Sequence, residues 1–294
     1  MQARALPVTL AALLVSCGGG SRQGYPLDSG LASAIPADTV ALAGARWDLL
    51  QKSPLYARLQ PLLPTGGVDA FGIDARKDVR EIIAAYNGRE PLLLVSGTFK
   101  TQDVLNKLAA EANARRSEYK GKPEVSRAEG GVAALSGNVL AAGPLRLVHG
   151  AIDRLAAGAK LDERWAAGLR ATPAQAQIFF LTSGGATLNL PRGTNLGNLD
   201  KILGSVESLN GWADLSKSIH IVATASARDA AAAKQLHTQL RGIIGLGRLS
   251  TPDNKPELLK FYDAIQTRLE DKRIELDLDL PEATLATLLK QFRP

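Results

Sequence analysis

The chain is 294 residues long, 45% apolar and 22% charged, with one cysteine and a formal net charge of +6. That size holds one large domain or two ordinary ones, and the composition excludes wholesale disorder, a collagen-like repeat and a polytopic membrane protein. A lone cysteine excludes an internal disulfide and a cysteine-based zinc site, and the scattered basic residues leave no nucleic-acid footprint.

The amino terminus has the shape of a secretory signal. Arg4 supplies a positive charge, and Ala5 to Val15 is an apolar stretch too short to span a bilayer as a permanent helix. It runs into Leu14-Val15-Ser16-Cys17, which resembles the lipobox of bacterial lipoprotein precursors. The chemistry needs each part: a small residue lets a peptidase approach the backbone, and a thiolate can form a thioether to diacylglycerol. The resemblance implies a signal peptide over 1–16 and lipidation of Cys17, so that the partner reached through Cys17 is a membrane. The plainer accounts are a buried cysteine or an ordinary secretory signal. Gly18-Gly19-Gly20-Ser21 opens a flexible tether, read over 17–34. Gly18, and not Asp, after the cysteine implies, by resemblance to the usual sorting rule, an outer-membrane anchor facing the periplasm.

Two halves follow, at 35–160 and 161–294. In the first, Thr39 to Ala45 is a short strand, and Ser53-Pro54 starts a helix carrying Leu55, Tyr56, Leu59 and Leu62. Val79 to Tyr86 and Leu92 to Phe99 flank Asn87-Gly88, which tolerates the positive φ of a tight hairpin. Thr101 caps a helix with Val104, Leu105 and Leu108 on one face. Glu118 to Arg127, Val132 to Ser136 and Val139 to Gly143 predict a three-strand meander, followed by a helix through Leu145, Val148, Ile152 and Leu155 to Gly158. In the second half, a short helix near Leu199 to Gly204 precedes a strand over Val206 to Ala213. Ser218 to Ala225 is a strand, Arg228 to Ile244 a long helix and Pro256 the start of another. Arg273 to Leu280 alternates Ile274, Leu276, Leu278 and Leu280 with Glu275, Asp277 and Asp279, and a last helix presents Leu285, Leu288, Leu289 and Phe292.

A shift of 126 residues places Leu93 on Ile219, Val95 on Ile221, Thr98 on Thr224 and Asp103 on Asp229. This suggests an internal duplication, with about eleven extra residues around Gly245 to Lys255 in the second copy. The expected fold is α+β: two similar halves, each a mainly antiparallel sheet covered on one face by helices. Ser53-Pro54-Leu55-Tyr56, Phe71-Gly72-Ile73-Asp74 and Val95-Ser96-Gly97-Thr98-Phe99 resemble the pattern of uncharacterised duplicated α+β bacterial envelope proteins, which implies an architecture and a compartment but no chemistry.

No zinc-protease, nucleophile-elbow, phosphate-loop or dinucleotide motif occurs, so no catalytic, metal or cofactor residue is assigned. Gly242-Ile243-Ile244-Gly245-Leu246-Gly247 has the wrong glycine spacing for a nucleotide and reads as a helix end. Ser117-x-x-Lys120 lacks the companion motifs of Ser-Lys acyl enzymes. His149 is placed to meet Asp153 one helical turn on, His220 lies on a strand face with Val222 and Thr224, and His237 falls on the wet side of its helix. Glu275, Asp277 and Asp279 share a strand face that solvation beside basic residues such as Arg268 satisfies more simply than calcium. The leading reading is a membrane-tethered envelope protein that binds or scaffolds an unidentified envelope protein or ligand without catalysis. A carrier for lipid or another hydrophobic ligand and an enzyme of unrecognised family remain open.

Overall fold

A computed structural model describes residues 24–59, 73–74, 77–128, 130–183 and 206–284. The signal segment, Cys17, the short helix read near 199–204 and the part of the last helix that carries Leu285, Leu288, Leu289 and Phe292 lie outside the described residues.

Residues 24–34, expected in the tether, are part of the body. Helix α1 (Ser29–Ala34) is capped by the Asp28 carboxylate, which accepts from the Gly30 and Leu31 amides, and it buries Leu31 and Ala34. Just before it, Tyr25 is buried against Phe179, with ring centroids 4.6 Å apart in an edge-on arrangement. A glycine-rich start does not keep the chain loose once Tyr25, Leu31 and Ile35 supply apolar area to bury.

Strand β1 (Ala41–Arg46) runs into the one-turn helices α2 (Trp47–Leu50) and α3 (Tyr56–Leu59). Ser53 starts this region as its sequence predicts, its hydroxyl oxygen accepting from the Leu55 amide at 3.1 Å. Strands β2 (Val79–Tyr86) and β3 (Pro91–Gly97) form the predicted hairpin. Gly88 turns at φ +90, and the Asn87 side chain accepts from the Arg89 and Glu90 amides. Helix α4 (Thr101–Ala109) buries Val104, Leu105 and Leu108. Thr101 is its first helical residue and not its cap, because its hydroxyl donates to the Ser136 carbonyl. The expected three-strand meander is four strands, β4 (Arg115–Tyr119), β5 (Lys122–Arg127), β6 (Gly130–Ser136) and β7 (Val139–Gly143). Its first turn, Lys120-Gly121, has both residues at positive φ, the geometry of a two-residue hairpin loop. Helix α5 (Leu145–Ala156) follows.

Helix α6 (Glu163–Ala171) and strand β8 (Ile178–Thr182) are additional to the elements expected. Strands β9 (Val206–Asp214) and β10 (Ile219–Ala227) form a second hairpin. Helices α7 (Ala230–Leu249) and α8 (Pro256–Ala264) precede the hairpin of β11 (Ile265–Glu270) and β12 (Arg273–Leu280).

All twelve strands join in one antiparallel sheet, ordered β11-β12-β10-β9-β8-β1-β2-β3-β7-β6-β5-β4. The expectation of a separate sheet in each half is thereby corrected: β1 and β8 pair edge to edge, Ala41 opposite Thr182 through Ala45 opposite Ile178. Pairing removes two exposed edges, and Gly44 lets Phe179 and Ile83 close over the seam. Outward from the seam the strand order repeats: β1-β2-β3-β7-β6 on one side, β8-β9-β10-β12-β11 on the other.

Helix cover differs between the sides, which corrects the expectation of one covered face in each. Over β1, β2, β3, β7 and β6 both faces are packed, while the edge strand β4 is largely exposed: α2 and α4 close one face through Trp47, Leu50, Leu105 and Leu108, and α1 and α5 close the other through Leu31, Val148 and Ile152. Over β9 to β12, α7 and α8 cover the first of these faces through Leu236 and the half-buried Leu258 and Phe261. On the opposite face, α6 packs Trp165 and Leu169 against Phe179 and Leu181 near the seam. Beyond it no helix among the described residues covers that face.

Candidate functional site

This face is built by strand alternation. In β9 to β12, Ala213, Ile219, Ile274 and Leu278 point to the covered face, so Asn210, Trp212, His220, Val222, Thr224, Ser226, Arg273, Glu275 and Asp277 project from the other. With α6 as one wall they line a cleft of about 920 Å³, whose rim includes Thr172, Pro173 and Ala174. Cross-strand pairing sets its rows: Asn210 stands beside Thr224 and Thr224 beside Glu275, while Trp212 stands beside Val222 and Val222 beside Asp277. The first described residues lie at the same rim, where Gly24 bridges to Pro173 and the Tyr25 amide donates to the Leu169 carbonyl at 2.9 Å.

Two groups discussed from sequence meet in this cleft. His220 Nε2 lies 3.2 Å from Asp277 Oδ1, and its ring packs edge-on to Trp212 at 4.9 Å. The acidic row does share one face, but its members have separate partners. Glu275 pairs with Arg268 at 3.4 Å, and Asp279 accepts from the Ser218 hydroxyl at 2.8 Å. Basic and hydroxyl neighbours therefore balance the like charges, as the solvation reading expects. Among the described residues no three His, Cys, Asp or Glu side chains converge in a group that could hold a metal ion.

The other candidates resolve into structural roles. His149 pairs with Glu124 at 2.9 Å and not with Asp153, and its ring stacks on Tyr119 at 3.8 Å. Glu124 is buried and also accepts from Ser117 Oγ at 2.8 Å. Lys120, three residues on, pairs with Asp153 at 2.6 Å, so Ser117 and Lys120 serve different carboxylates and form no nucleophile pair. The Lys120 ammonium holds the Asp153 carboxyl below its usual range, with the Tyr119 hydroxyl adding to the effect. His237 is turned toward β11, 3.1 Å from Thr267 Oγ1, and not outward to water. The glycine run Gly242 to Gly247 is not a helix end: α7 continues to Leu249, and Gly247 admits the Tyr262 ring of α8.

Two smaller recesses were not foreseen. One, of about 370 Å³, opens beside the short helix α4, with Leu93, Leu108, Val125, Val132 and Ala142 as apolar lining and Arg127 among its residues. The Arg127 guanidinium pairs with Glu111. The other, of about 290 Å³, contains Asp28, Arg46, Arg80 and the buried Glu81. Tyr25 donates its hydroxyl to Glu81 at 2.9 Å. Burial pushes the Glu81 carboxyl above its usual range, against the hydrogen bond from Tyr25 and the charges of Arg46 and Arg80. The Tyr25 phenol is raised by burial and by the neighbouring carboxyl. Nothing in the local sequence pairs residues 56 positions apart; the signal is tertiary.

In fold the chain is similar to TP0453. Crystal form I of TP0453 superposes with a TM-score of 0.52 at 9% identity, covering 91% of this chain and 99% of that one. Crystal form III of the same protein gives 0.49 at 10% identity over 90% and 98% of the two chains. The likeness to TP0453 extends over nearly the whole of both chains and concerns the α+β fold alone. No protein-family model and no curated protein matches the chain. Among the described residues no helix is long and apolar enough to cross a membrane.

Proposed function

We propose that the chain is a bacterial envelope lipoprotein, anchored through Cys17 on the extracytoplasmic side and acting as a non-catalytic binding or scaffold protein. The observation that carries the reading is the asymmetry of helix cover. The sheet from β1 to β3 with β7 and β6 is packed on both faces, whereas among the described residues only α6 borders the polar face of β9 to β12. That face offers amide, hydroxyl, imidazole, carboxylate and guanidinium groups along an extended cleft, which suits a polar partner surface. The first described residues also lie at its rim, so a tether would hold the cleft at a fixed reach from the membrane. The repeated strand order on the two sides of the seam favours descent from a duplicated unit.

A photo-reactive residue at Val222, in the middle of the cleft, should cross-link in cells to one discrete envelope component, and one at the exposed turn residue Gly137 should not. Equal labelling from both positions would contradict the reading. Turnover of a hydrolytic or transfer substrate by the purified chain, lost in His220→Ala or Asp277→Asn, would overturn it in favour of an enzyme.

The recess beside α4 favours a second reading, carriage of a hydrophobic ligand. Its volume of about 370 Å³ lies at the small end of ligand pockets, about 300–1,000 Å³. Lipid co-purifying with the chain, and displaced by Leu108→Trp, would support that reading over the first.

A further inference from the structure

Helix α7 is longer than its packing requires. Its buried residues are Ala232, Ala233 and Leu236, all in the first two turns, yet it continues to Leu249. Beyond Leu236 it carries Leu240, Ile243, Ile244, Leu246 and Leu249, none of them buried. Exposure rises toward the tip, with Ile243 at 46%, Leu246 at 68% and Leu249 at 85%. These three are the exposed large hydrophobic residues among those described. At about 100° per residue they fall within one arc of the helix, with Gln235, Gln239 and Gly242 continuing that exposed face without a charge. The opposite side is occupied: Gly247 meets the Tyr262 ring, and Arg248 pairs with Asp263 at 2.9 Å, fastening α7 to α8. Helix α8 itself buries no residue. The tip therefore belongs to a helical hairpin standing partly off the sheet.

Charge selects what could cover the stripe. Helix α7 contains Lys234, Arg241 and Arg248 and no acidic residue; Arg248 is taken by Asp263 of α8, which also carries Glu257, so Lys234 and Arg241 supply the positive bias. An apolar stripe on a helix whose formal charges are all positive suits an anionic lipid surface. A second copy of the chain fits less well: three side chains fall far short of the ~800 Å² per partner of a stable interface, and the basic residues of two α7 helices would repel. We propose that the α7–α8 hairpin is a membrane-docking element, in which Ile243, Leu246 and Leu249 enter the interface of an anionic bilayer while Arg241 reaches back toward its phosphates and Arg248 stays with Asp263. This contact is separate from any lipid on Cys17.

The test uses the full chain carrying Cys17→Ser, floated with vesicles of phosphatidylcholine alone or with a third of phosphatidylglycerol. It is compared with the same chain carrying Ile243→Ser, Leu246→Ser and Leu249→Ser, whose far-ultraviolet spectrum and melting should be unchanged because the side chains are exposed. The parent should favour the anionic vesicles, and the triple variant should bind them less by a factor on the order of 100. Arg241→Gln should weaken the anionic preference by roughly fivefold. Equal partition of parent and triple variant would overturn the proposal, as would equal binding to neutral and anionic vesicles. Concentration-dependent dimers abolished by the triple variant, with no vesicle binding, would overturn it in favour of a second copy.

Discussion

Glu81 shows how a single residue can hold the start of the body in place at a cost. Its carboxyl is buried, accepts from Tyr25 and titrates above the usual range because burial disfavours its charge. A raised folded value means that the folded state binds the proton more readily than the unfolded chain, so stability falls as pH rises from 4.5 through the folded value. Glu81→Gln keeps an acceptor for Tyr25 and removes the buried charge. It should therefore raise stability by about 1 kcal/mol at pH 8, with the gain shrinking as pH falls toward 4.5, measured by urea unfolding across that range. Tyr25→Phe does the reverse: the carboxylate loses its donor, and stability should fall by about 1–3 kcal/mol. Neither residue was legible as a pair, because sequence periodicity reports faces of elements and not contacts between distant ones. His149 makes the same point, since the helical spacing to Asp153 is real but strand β5 delivers Glu124 closer.

At the scale of elements, alternation and turn chemistry were sufficient where an element was half exposed. Strand β12 falls on its predicted span because it alternates, and β2, whose residues do not alternate, was placed by the Asn87-Gly88 turn that ends it. Strand β8 reads Ile-Phe-Phe-Leu-Thr with no alternation, as expected of a strand with helices or neighbours on both faces, and was therefore not distinguished from a loop or helix edge. The Lys120-Gly121 turn was hidden because a lysine at positive φ is uncommon and Gly alone did not mark a hairpin. Helices α4 and α7 allow a direct comparison. Leu105 of α4 is fully buried, and Leu105→Ala should cost about 2–5 kcal/mol. Leu246→Ser at the α7 tip should stay within about 0.5 kcal/mol by the same assay, because its side chain is in solvent. The start of α7 should be acid-sensitive: the Ala232 amide, followed by Arg228, holds Asp229 below its usual range. Its contribution is complete above 3.8 and is lost as pH falls through the lowered folded value, so Asp229→Ala should flatten the acid limb of the thermal-stability profile.

For the whole molecule, the decisive feature is the β1·β8 seam, which no local pattern announced. It merges what read as two half-domains into one sheet whose cores run across the middle, Phe179 and Leu181 packing with Leu42 and Ile83. The halves should unfold together in one calorimetric transition. Gly44→Val would drive a side chain into Phe179 and Ile83, overpacking the seam by about 1–3 kcal/mol or more and lowering that single transition without splitting it. Function was legible to a lesser degree. The polar row of β12 was visible as alternation, but that it lines a cleft with His220 and Trp212 depends on where the described helices pack, which no local pattern carries. The account as a whole rests on the body being held at a membrane, and the most direct measurement is metabolic labelling of the full chain with a fatty acid in a bacterial host that processes lipoproteins. The account predicts label on the wild-type chain and none on Cys17→Ala. An unlabelled wild-type chain, or label that persists in the variant, would contradict it.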